Sequence, residues 1–421
     1  MIDLELVRSN PDLVKKAIAD KQLDIDLDEF ISIDQERRQL ISQREEFLAE
    51  RNSLTVEQAK QRGGEIKAKL AEIEPRLAEV EKEFRKLSLL LPQIPSPNSP
   101  IGGEESNQAV REEGERPNFD FEIKDHIELG ESLGLIDFER GRQVSGFRGY
   151  FLKNEAVLMH YGLMQLGLKL MEQKGFTLMS SPTILREFAL EGSGHFPFGR
   201  PEVYQIANAA RLQAESEKET HFLAGTAEPS LLAYFVNQEL DAKDLPQKVC
   251  GISPCYRSEA GSYGKDTKGL YRVHEFLKVE QVVICEATAE AQQERFDEML
   301  AISEELLTTL GLPYRILNIA TGDMGAGKVY MNDIETWMPA RGSYGETHSS
   351  SALGDWQARR LGIKYRKDDQ KLYAFTLNNT VVASPRILIA IMENYQLADG
   401  SIRVPEVLQK FVGKEVIKPK E

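Results

Sequence analysis

Two runs at heptad spacing occupy most of the first hundred residues, and they constrain the fold more than any other feature of the chain. The first places Phe30, Ile33, Arg37, Leu40, Arg44, Phe47, Arg51 and Leu54 at alternating steps of three and four. The second does the same with Ile66, Leu70, Ile73, Leu77, Val80, Phe84, Leu87 and Leu91. A sustained 3.5-residue period keeps one stripe of a helix facing a partner, which marks a coiled-coil seam. Arg62-Gly63-Gly64 lies between the runs and reads as a turn, so the two helices should fold back as an antiparallel hairpin. Pro75 should kink the second helix or mark its start. The arginines in the first seam admit two readings. Their stems can lie along the seam with the heads in water. Alternatively, the seam is half buried, and Arg37, Arg44 and Arg51 face phosphate together with a basic tip around Arg62.

The hairpin ends in Leu91-Pro92-Gln93-Ile94-Pro95-Ser96-Pro97-Asn98-Ser99-Pro100, a Pro/Ser stretch that reads as a linker. It divides the chain into a helical hairpin with its linker, 1–100, and a larger domain, 101–421. Helical periods recur at 152–174 and 287–311, and strand-like runs at 247–252, 279–285, 315–319 and 372–377. Strands that do not alternate strictly with helices favour an α+β fold with an antiparallel sheet. A chain of 421 residues with 41% hydrophobic residues can bury a sizeable core. The apolar run Ile387–Met392 is far short of the roughly 20 residues of a membrane span. The N-terminus does not resemble a secretory signal. Cys250, Cys255 and Cys285 are too few, and odd in number, for a disulfide scaffold, and fit a reducing cytosol. There is no Cys-x-x-Cys or His-x-x-x-His zinc pattern. A net charge of −15 argues against nucleic-acid binding if charge is read globally. A local basic face is enough, however, and Lys60, Arg62, Lys67 and Lys69 stand against Glu65 alone.

The densest chemistry runs from Cys255-Tyr256-Arg257-Ser258-Glu259-Ala260-Gly261-Ser262 through a loop with Lys265, Asp266, Thr267 and Lys268 to Arg272-Val273-His274-Glu275-Phe276-Leu277-Lys278-Val279-Glu280. In a strand, residues two apart share a face. Arg257 and Glu259 therefore fall together, as do Arg272, His274, Phe276, Lys278 and Glu280. A sheet face with arginines, carboxylates and an aromatic is a poor core and a good nucleotide site, since arginine grips phosphate bidentately and an aromatic stacks on a purine. The bland alternative is a solvated hairpin face.

These residues resemble motif 2 of class II aminoacyl-tRNA synthetases. Arg257 to Ser262, with Lys278-Val279-Glu280, is similar to the seryl-tRNA synthetase family in particular. The resemblance covers essentially the whole chain. The hairpin is similar to that family's tRNA-binding arm. Ser145-Gly146-Phe147-Arg148, and a helix ending at Ser181-Pro182, resemble the motif 1 region that forms a homodimer interface. Asp333 to Pro339 and Gln357 to Arg360 resemble later signatures; Thr376 to Arg386, then Glu393 to Gln396, resemble motif 3. The resemblance implies a class II catalytic domain preceded by an α-helical coiled-coil hairpin. Its activity would be a cytoplasmic ligase that activates L-serine with ATP and Mg²⁺ and charges tRNA(Ser), with tRNA(Sec) as a further acceptor.

The resemblance also implies roles. Thr226, Ala227 and Glu228 form the serine-binding loop, with Glu228 and Glu280 holding the substrate ammonium and hydroxyl. Arg257 bridges the serine carboxylate and the ATP α-phosphate. Ser258 accompanies it, Glu259 meets the adenine end with the backbone near Val273, and Phe276 stacks on the ring. Glu346, Thr347, His348 and Ser349 form a further ATP-binding run, Glu346 and Ser349 taking Mg²⁺. Arg386 clamps the γ-phosphate. Asn378 and Thr380 line the serine pocket, and Arg37, Arg44, Arg51 and Arg62 touch tRNA. The roles make chemical sense. An ionised carboxylate attacking phosphorus needs no general base, only in-line positioning and cancelled charge. Several positions depart from the family pattern: Pro229-Ser230 after Glu228, Thr380 for serine, Asn379 and Pro385 for glycines, and His348 and Ser350 in the Glu346 run. They bear on pocket shape and leave every charged group in place. The hairpin also looks short, which bears on tRNA reach. Gly322 to Lys328 mimics a P-loop, but Val329 replaces its Ser/Thr, and a tight turn before a strand is the better reading. His160, His195 and His221 read as ordinary surface or core histidines.

An adenylating enzyme that had lost tRNA would have little use for the hairpin, and a catalytically dead scaffold would have little use for Arg257, Glu259, Glu280, Glu346 and Arg386.

Overall fold

The computed structural model describes residues 1–207, 220–260 and 268–419; Gly261, Ser262, Lys265, Asp266 and Thr267 of the charged loop lie outside them. Two short helices, α1 (Leu4–Ser9) and α2 (Pro11–Asp20), precede the long pair α3 (Leu27–Ser53) and α4 (Val56–Ser88). The long helices pack as a hairpin, but the turn falls earlier than Arg62-Gly63-Gly64. It falls at Leu54-Thr55, because Thr55 and Gln58 form a capping box: Thr55 N donates to Gln58 Oε1 at 2.9 Å, and Gln58 N donates back to Thr55 Oγ1 at 3.4 Å. Gly63 and Gly64 are carried inside α4 at about 1 kcal/mol each. The helix also runs on through Pro75 rather than starting there.

The second seam is buried as its spacing predicts, at Ile66, Leu70, Leu77 and Val80. Phe84 stacks on Phe30 across the hairpin, ring centroids 5.4 Å apart. The Arg37 guanidinium lies 4.6 Å from the centre of the Phe84 ring, so this arginine packs along the seam; Arg44 is half-buried and Arg51 exposed. At the base, Ile2, Val7, Val14, Ile18, Leu27, Phe30 and Leu91 make a small core. The Pro/Ser stretch is not a free linker. Leu91 and Pro92 are buried, Gln93 N donates to Ala326 O at 2.9 Å, and Ser96 N to Val329 O at 2.7 Å.

The rest is α+β. Eight strands form the main sheet: β1 (Gln108–Glu113), β2 (Thr177–Ser180), β3 (Gln247–Tyr256), β4 (Glu275–Cys285), β5 (Tyr314–Asn318), β6 (Tyr330–Met338), β7 (Ser343–Ala352) and β8 (Phe375–Ser384). Their order is β1-β5-β6-β7-β8-β4-β3-β2, antiparallel throughout except for the parallel β2–β3 pair. Edge strand β1 is exposed and charged, a defence against edge-to-edge pairing. Ser181-Pro182 follows strand β2 rather than a helix, because the preceding helix has already ended at Gln173. The helices Glu155–Gln173, Ala289–Thr309 and Arg386–Asn394 contribute to the largest core cluster with the sheet. Gly167 permits the first of these to come close, since a Cβ there would sit 2.9 Å from Val382. On the opposite face Val282 and Ile284 are covered by the short helices Glu228–Ala233 and Trp356–Leu361, and the rest of that face is left for a site.

Replacing residues 40–76 with a short Gly/Ser bridge should leave the protein folded with little change in melting temperature, because Phe30, Phe84 and Leu91 stay at the base. Deleting 30–92 removes Phe30 and Leu91 from that core, at about 2–5 kcal/mol for each large side chain. Thermal melts of both deletions decide the matter: equal stability would mean that the basal core contributes nothing.

Candidate active site

Site residues reach one face by strand alternation, corrected by two bulges. On β4, Phe276, Lys278 and Glu280 alternate toward the site. The strand begins only at Glu275, so His274 leaves the expected pattern. It bonds Arg257 O through Nδ1 at 2.9 Å and accepts the Arg257 amide at 2.9 Å, which fixes the backbone that carries Arg257. Glu280 faces Thr380 across the β4–β8 pair, just past a register shift. On β7, Glu346 pairs with Glu335 and His348 with Ile334, leaving Thr347 as the extra residue of a bulge. Three residues apart on a regular strand, Glu346 and Ser349 would face opposite ways; the bulge turns both toward the site.

The cavity they enclose measures about 340 Å³. Thr226, Glu228, Arg257, Glu259, Val273, Phe276, Glu280, Glu346, Thr347, Ser349, Asn378, Thr380 and Arg386 all line it. Three expected site residues do not. Ala227 is buried beneath the site against Gly251. Ser258 donates its hydroxyl to Pro201 O at 2.8 Å. His348 turns into the core, where its ring nitrogens meet Thr347 Oγ1 at 2.9 Å and Val381 O at 3.0 Å. Arg37, Arg44, Arg51 and Arg62 sit on the hairpin, outside this lining.

The cavity has an acidic end. Glu228 Oε1 accepts from Gln357 Nε2 at 2.7 Å and from Asn378 Nδ2 at 3.0 Å. Glu280 pairs with Lys278 Nζ at 2.5 Å. Burial pushes both carboxyls above the usual range, and Lys278 and Arg257 work against it. The other end is cationic. Arg386 donates to Glu346 O at 2.8 Å and Tyr271 O at 3.0 Å, and lies 3.2 Å from the Glu346 carboxylate. Burial alone would raise the Glu346 carboxyl, but Arg386 and Arg257 outweigh it and hold the group below its ordinary value. Arg257 lies 5.3 Å from the centre of the Phe276 ring. Glu259 holds a left-handed backbone, φ 52°, with its carboxylate 3.2 Å from Arg272. Glu346 and Ser349 offer hard oxygen donors of the kind Mg²⁺ takes. Behind them is Asp333, whose carboxyl is pushed up to about 8 by burial and by Glu346, and whose Oδ1 is buried without a hydrogen-bond partner. Among the described residues no cluster of three His, Cys, Asp or Glu side chains could hold a metal by itself, so a cation here fits best as a companion of phosphate.

Sequence reasoning missed part of the wall. Gln357 braces Glu228, donates to Ser193 O at 2.8 Å and accepts from Thr376 Oγ1 at 2.6 Å. His195, Trp356 and the turn Gly325–Lys328 line the cavity itself. That turn is the P-loop mimic; it precedes β6, as a tight turn should, but it also walls the site. Lys278 was legible as a member of the same strand face as Glu280; its burial against that carboxylate was not, because burial is not legible from one strand.

Residues 1–95 match the seryl-tRNA synthetase N-terminal domain, and 211–395 the class II tRNA synthetase core domain of the G, H, P, S and T group. The serine–tRNA ligase of Deinococcus radiodurans is 43% identical to this chain over 431 residues, covering 99% of each. The seryl-tRNA synthetase of Pyrococcus horikoshii, solved with ATP, superposes with a TM-score of 0.88 at 35% identity, covering 100% of each chain. The cytoplasmic enzyme of Naegleria fowleri, solved with AMP, does so with the same TM-score at 30% identity, covering 100% of this chain and 99% of that one.

Buried His348 makes a testable electrostatic claim. Burial lowers its pKa to about 4, so it folds neutral and takes up a proton only on unfolding. A base with a depressed folded pKa contributes stability above its unfolded value of about 6.5, and loses it as pH falls toward 4, by up to about 1.4 kcal/mol per pH unit. His348→Gln should therefore lose less melting temperature between pH 7 and pH 5 than the wild type. Parallel pH dependence in the two proteins would refute a buried neutral imidazole.

Proposed function

This chain belongs to the seryl-tRNA synthetase family, and from that premise we propose how its residues join serine to tRNA at the expense of ATP. The observation that carries the reading is one cavity with a carboxylate end, Glu228 and Glu280, facing an arginine end, Arg257 and Arg386. The serine ammonium takes the place beside Glu280 that Lys278 now fills, with Glu228 opposite. Asn378 and Thr380 present an amide and a hydroxyl to the serine hydroxyl. A site built to bond that hydroxyl rejects alanine strongly, by up to roughly 10⁴–10⁵. Thr380→Ser keeps the hydroxyl and should shift selectivity by no more than about 1–3 kcal/mol. Loss of all activity would assign Thr380 another duty.

The carboxylate of serine then attacks the α-phosphorus of ATP. The new bond joins carboxylate oxygen to phosphorus, the bond to the bridging oxygen breaks, and pyrophosphate leaves. Arg257 holds carboxylate and α-phosphate in line, Arg386 takes the γ-phosphate, and Phe276 and Glu259 seat the adenine. Mg²⁺ held by Glu346 and Ser349 would supply charge cancellation on the phosphates. The terminal ribose hydroxyl of tRNA next attacks the acyl carbon, and AMP leaves.

The hairpin of residues 1–100 is the tRNA arm in this reading, and 101–421 the catalytic body. Exposed Arg51, and exposed Arg62, which pairs with half-buried Glu50, are better placed for a phosphate backbone than Arg37, which packs on Phe84. tRNA(Ser) is the acceptor, with tRNA(Sec) as a second. The enzyme acts as a homodimer: Phe147, Phe151, Leu158, Tyr161 and Leu178 leave an apolar surface, each more than 40% exposed. Three buried, unpaired cysteines suit a reducing cytosol, and no described helix is long and apolar enough to cross a membrane.

ATP–pyrophosphate exchange with each of the twenty amino acids should be supported by serine alone. Arg257→Ala should lower it by about 10²–10³ without unfolding the protein. Exchange with another amino acid, or an Arg257→Ala rate within about tenfold of wild type, would overturn the assignment.

A further inference from the structure

The turn Gly325–Lys328 is one wall of the cavity, yet it is held from the N-terminal domain. Lys21, just past α2, is only 3% exposed, and its ammonium donates to Gly325 O at 2.9 Å and Lys328 O at 2.7 Å. Thr321 donates its hydroxyl to Asp20 O, and Gln93 N bonds Ala326 O in the middle of the turn. Gly327 lies against Trp356 so closely that a Cβ would sit 2.5 Å from the indole, and the indole N–H donates to Leu91 O at 3.0 Å. Both the start of the arm and its return thus grip the wall.

On the inner side the wall carries Lys328. Its ammonium lies 3.1 Å from Met331 Sδ, a weak acceptor, and its side chain lines the cavity. It bears electrostatically on Glu228 at one end and on Glu346 at the other, drawing both carboxyls down. A cation held by a thioether between the serine end and the phosphate end has capacity left for an anionic oxygen.

We infer that Lys328 is a further substrate-binding residue, taking an oxygen of the serine carboxylate or of the ATP α-phosphate, and that Lys21 is its positioning residue, setting the cavity wall from the N-terminal domain. The inference rests on the adenylation reading above. Lys328 binds substrate directly. Lys21 touches none and acts through the carbonyls of the turn.

The test is a mutant cycle in the full-length enzyme, read by serine-dependent exchange with KM measured separately for serine and for ATP. Lys328→Met should raise one of them about tenfold or more: serine if the oxygen is the carboxylate, ATP if it is the phosphate. Lys21→Met, which keeps the stem and removes the donors, should raise the same KM by several-fold. The double variant should be no worse than Lys328→Met, since residues acting through one another are not additive. Arg8→Leu is the control. Exposed Arg8 holds buried Asp34 with two bonds of 2.7 and 2.8 Å at the base of the arm, away from the cavity wall, so its loss should lower the melting temperature and leave both KM values alone. Additive losses in the double variant, an unchanged KM in Lys328→Met, or the same KM rise in Arg8→Leu would each overturn the inference. Failure of the wild type to exchange with serine would instead overturn the adenylation reading.

Discussion

Two carboxylates lie buried at one end of the cavity, and much of the surrounding structure exists to keep them there. Taking a carboxylate out of water is expensive unless bonds and countercharges replace the solvent. Glu228 has two amide donors, Gln357 and Asn378, from different parts of the chain. Glu280 has Lys278 two residues before it on the same strand face. This is an arrangement for binding a cation. The neutral donors on Glu228 cancel none of its charge, and buried Lys278 is the cation that now faces Glu280. Burial raises both groups, so the unliganded site stores unfavourable desolvation that a cationic substrate relieves.

The same requirement explains the bulges. A pleated sheet offers every second residue to a face, which is too coarse for a site whose groups were drawn from three adjacent strands. The shift at Thr347 brings Glu346 and Ser349 onto one side, and the shift before Glu280 sets it opposite Thr380. Each bulge leaves a residue over, and the leftover groups are used. Thr347 bonds Thr336 Oγ1 at 2.7 Å and Ile334 O at 3.2 Å, and His348 next to it locks into Val381.

How much of this was legible in the sequence depended on the range of the interaction. The coiled-coil seams were plain because a heptad is a local period, and the α+β sheet followed from runs of strand type. The position of the turn at Leu54-Thr55 was misread because two glycines are a louder signal than a Thr-x-x-Gln box, although the box satisfies two helix-end donors and the glycines satisfy none. The charged pairs of the cavity were readable as chemistry at Arg257, Glu280 and Arg386 through the motif they resemble. Their depth and their neighbours were not. Gln357 meets Glu228 across 129 positions, and Lys21 meets Lys328 across 307. No local pattern records such distances.

The stretch at Pro92–Pro100 shows why composition alone misleads about autonomy. Proline and serine suggest a flexible tether, yet proline also lacks a donor, so a proline-rich segment can lie against a surface while leaving few amide groups to satisfy. Here the amides of Gln93 and Ser96 bond Ala326, within the cavity wall, and Val329, just past it. The arm is therefore two things in series. Beyond about residue 40 it is an exposed lever held by its own seam. Below that it is part of the catalytic body, with Leu91 fully buried and Trp356 anchored on its carbonyl. Phe30 and Phe84 join the outer hairpin to that base, and the base in turn bonds the turn that walls the cavity. Lys60, Arg62, Lys67 and Lys69 stand on the outer part of this lever among interspersed glutamates, so in the proposed reading it is their local field, and not the net charge of −15, that would meet a polyanion.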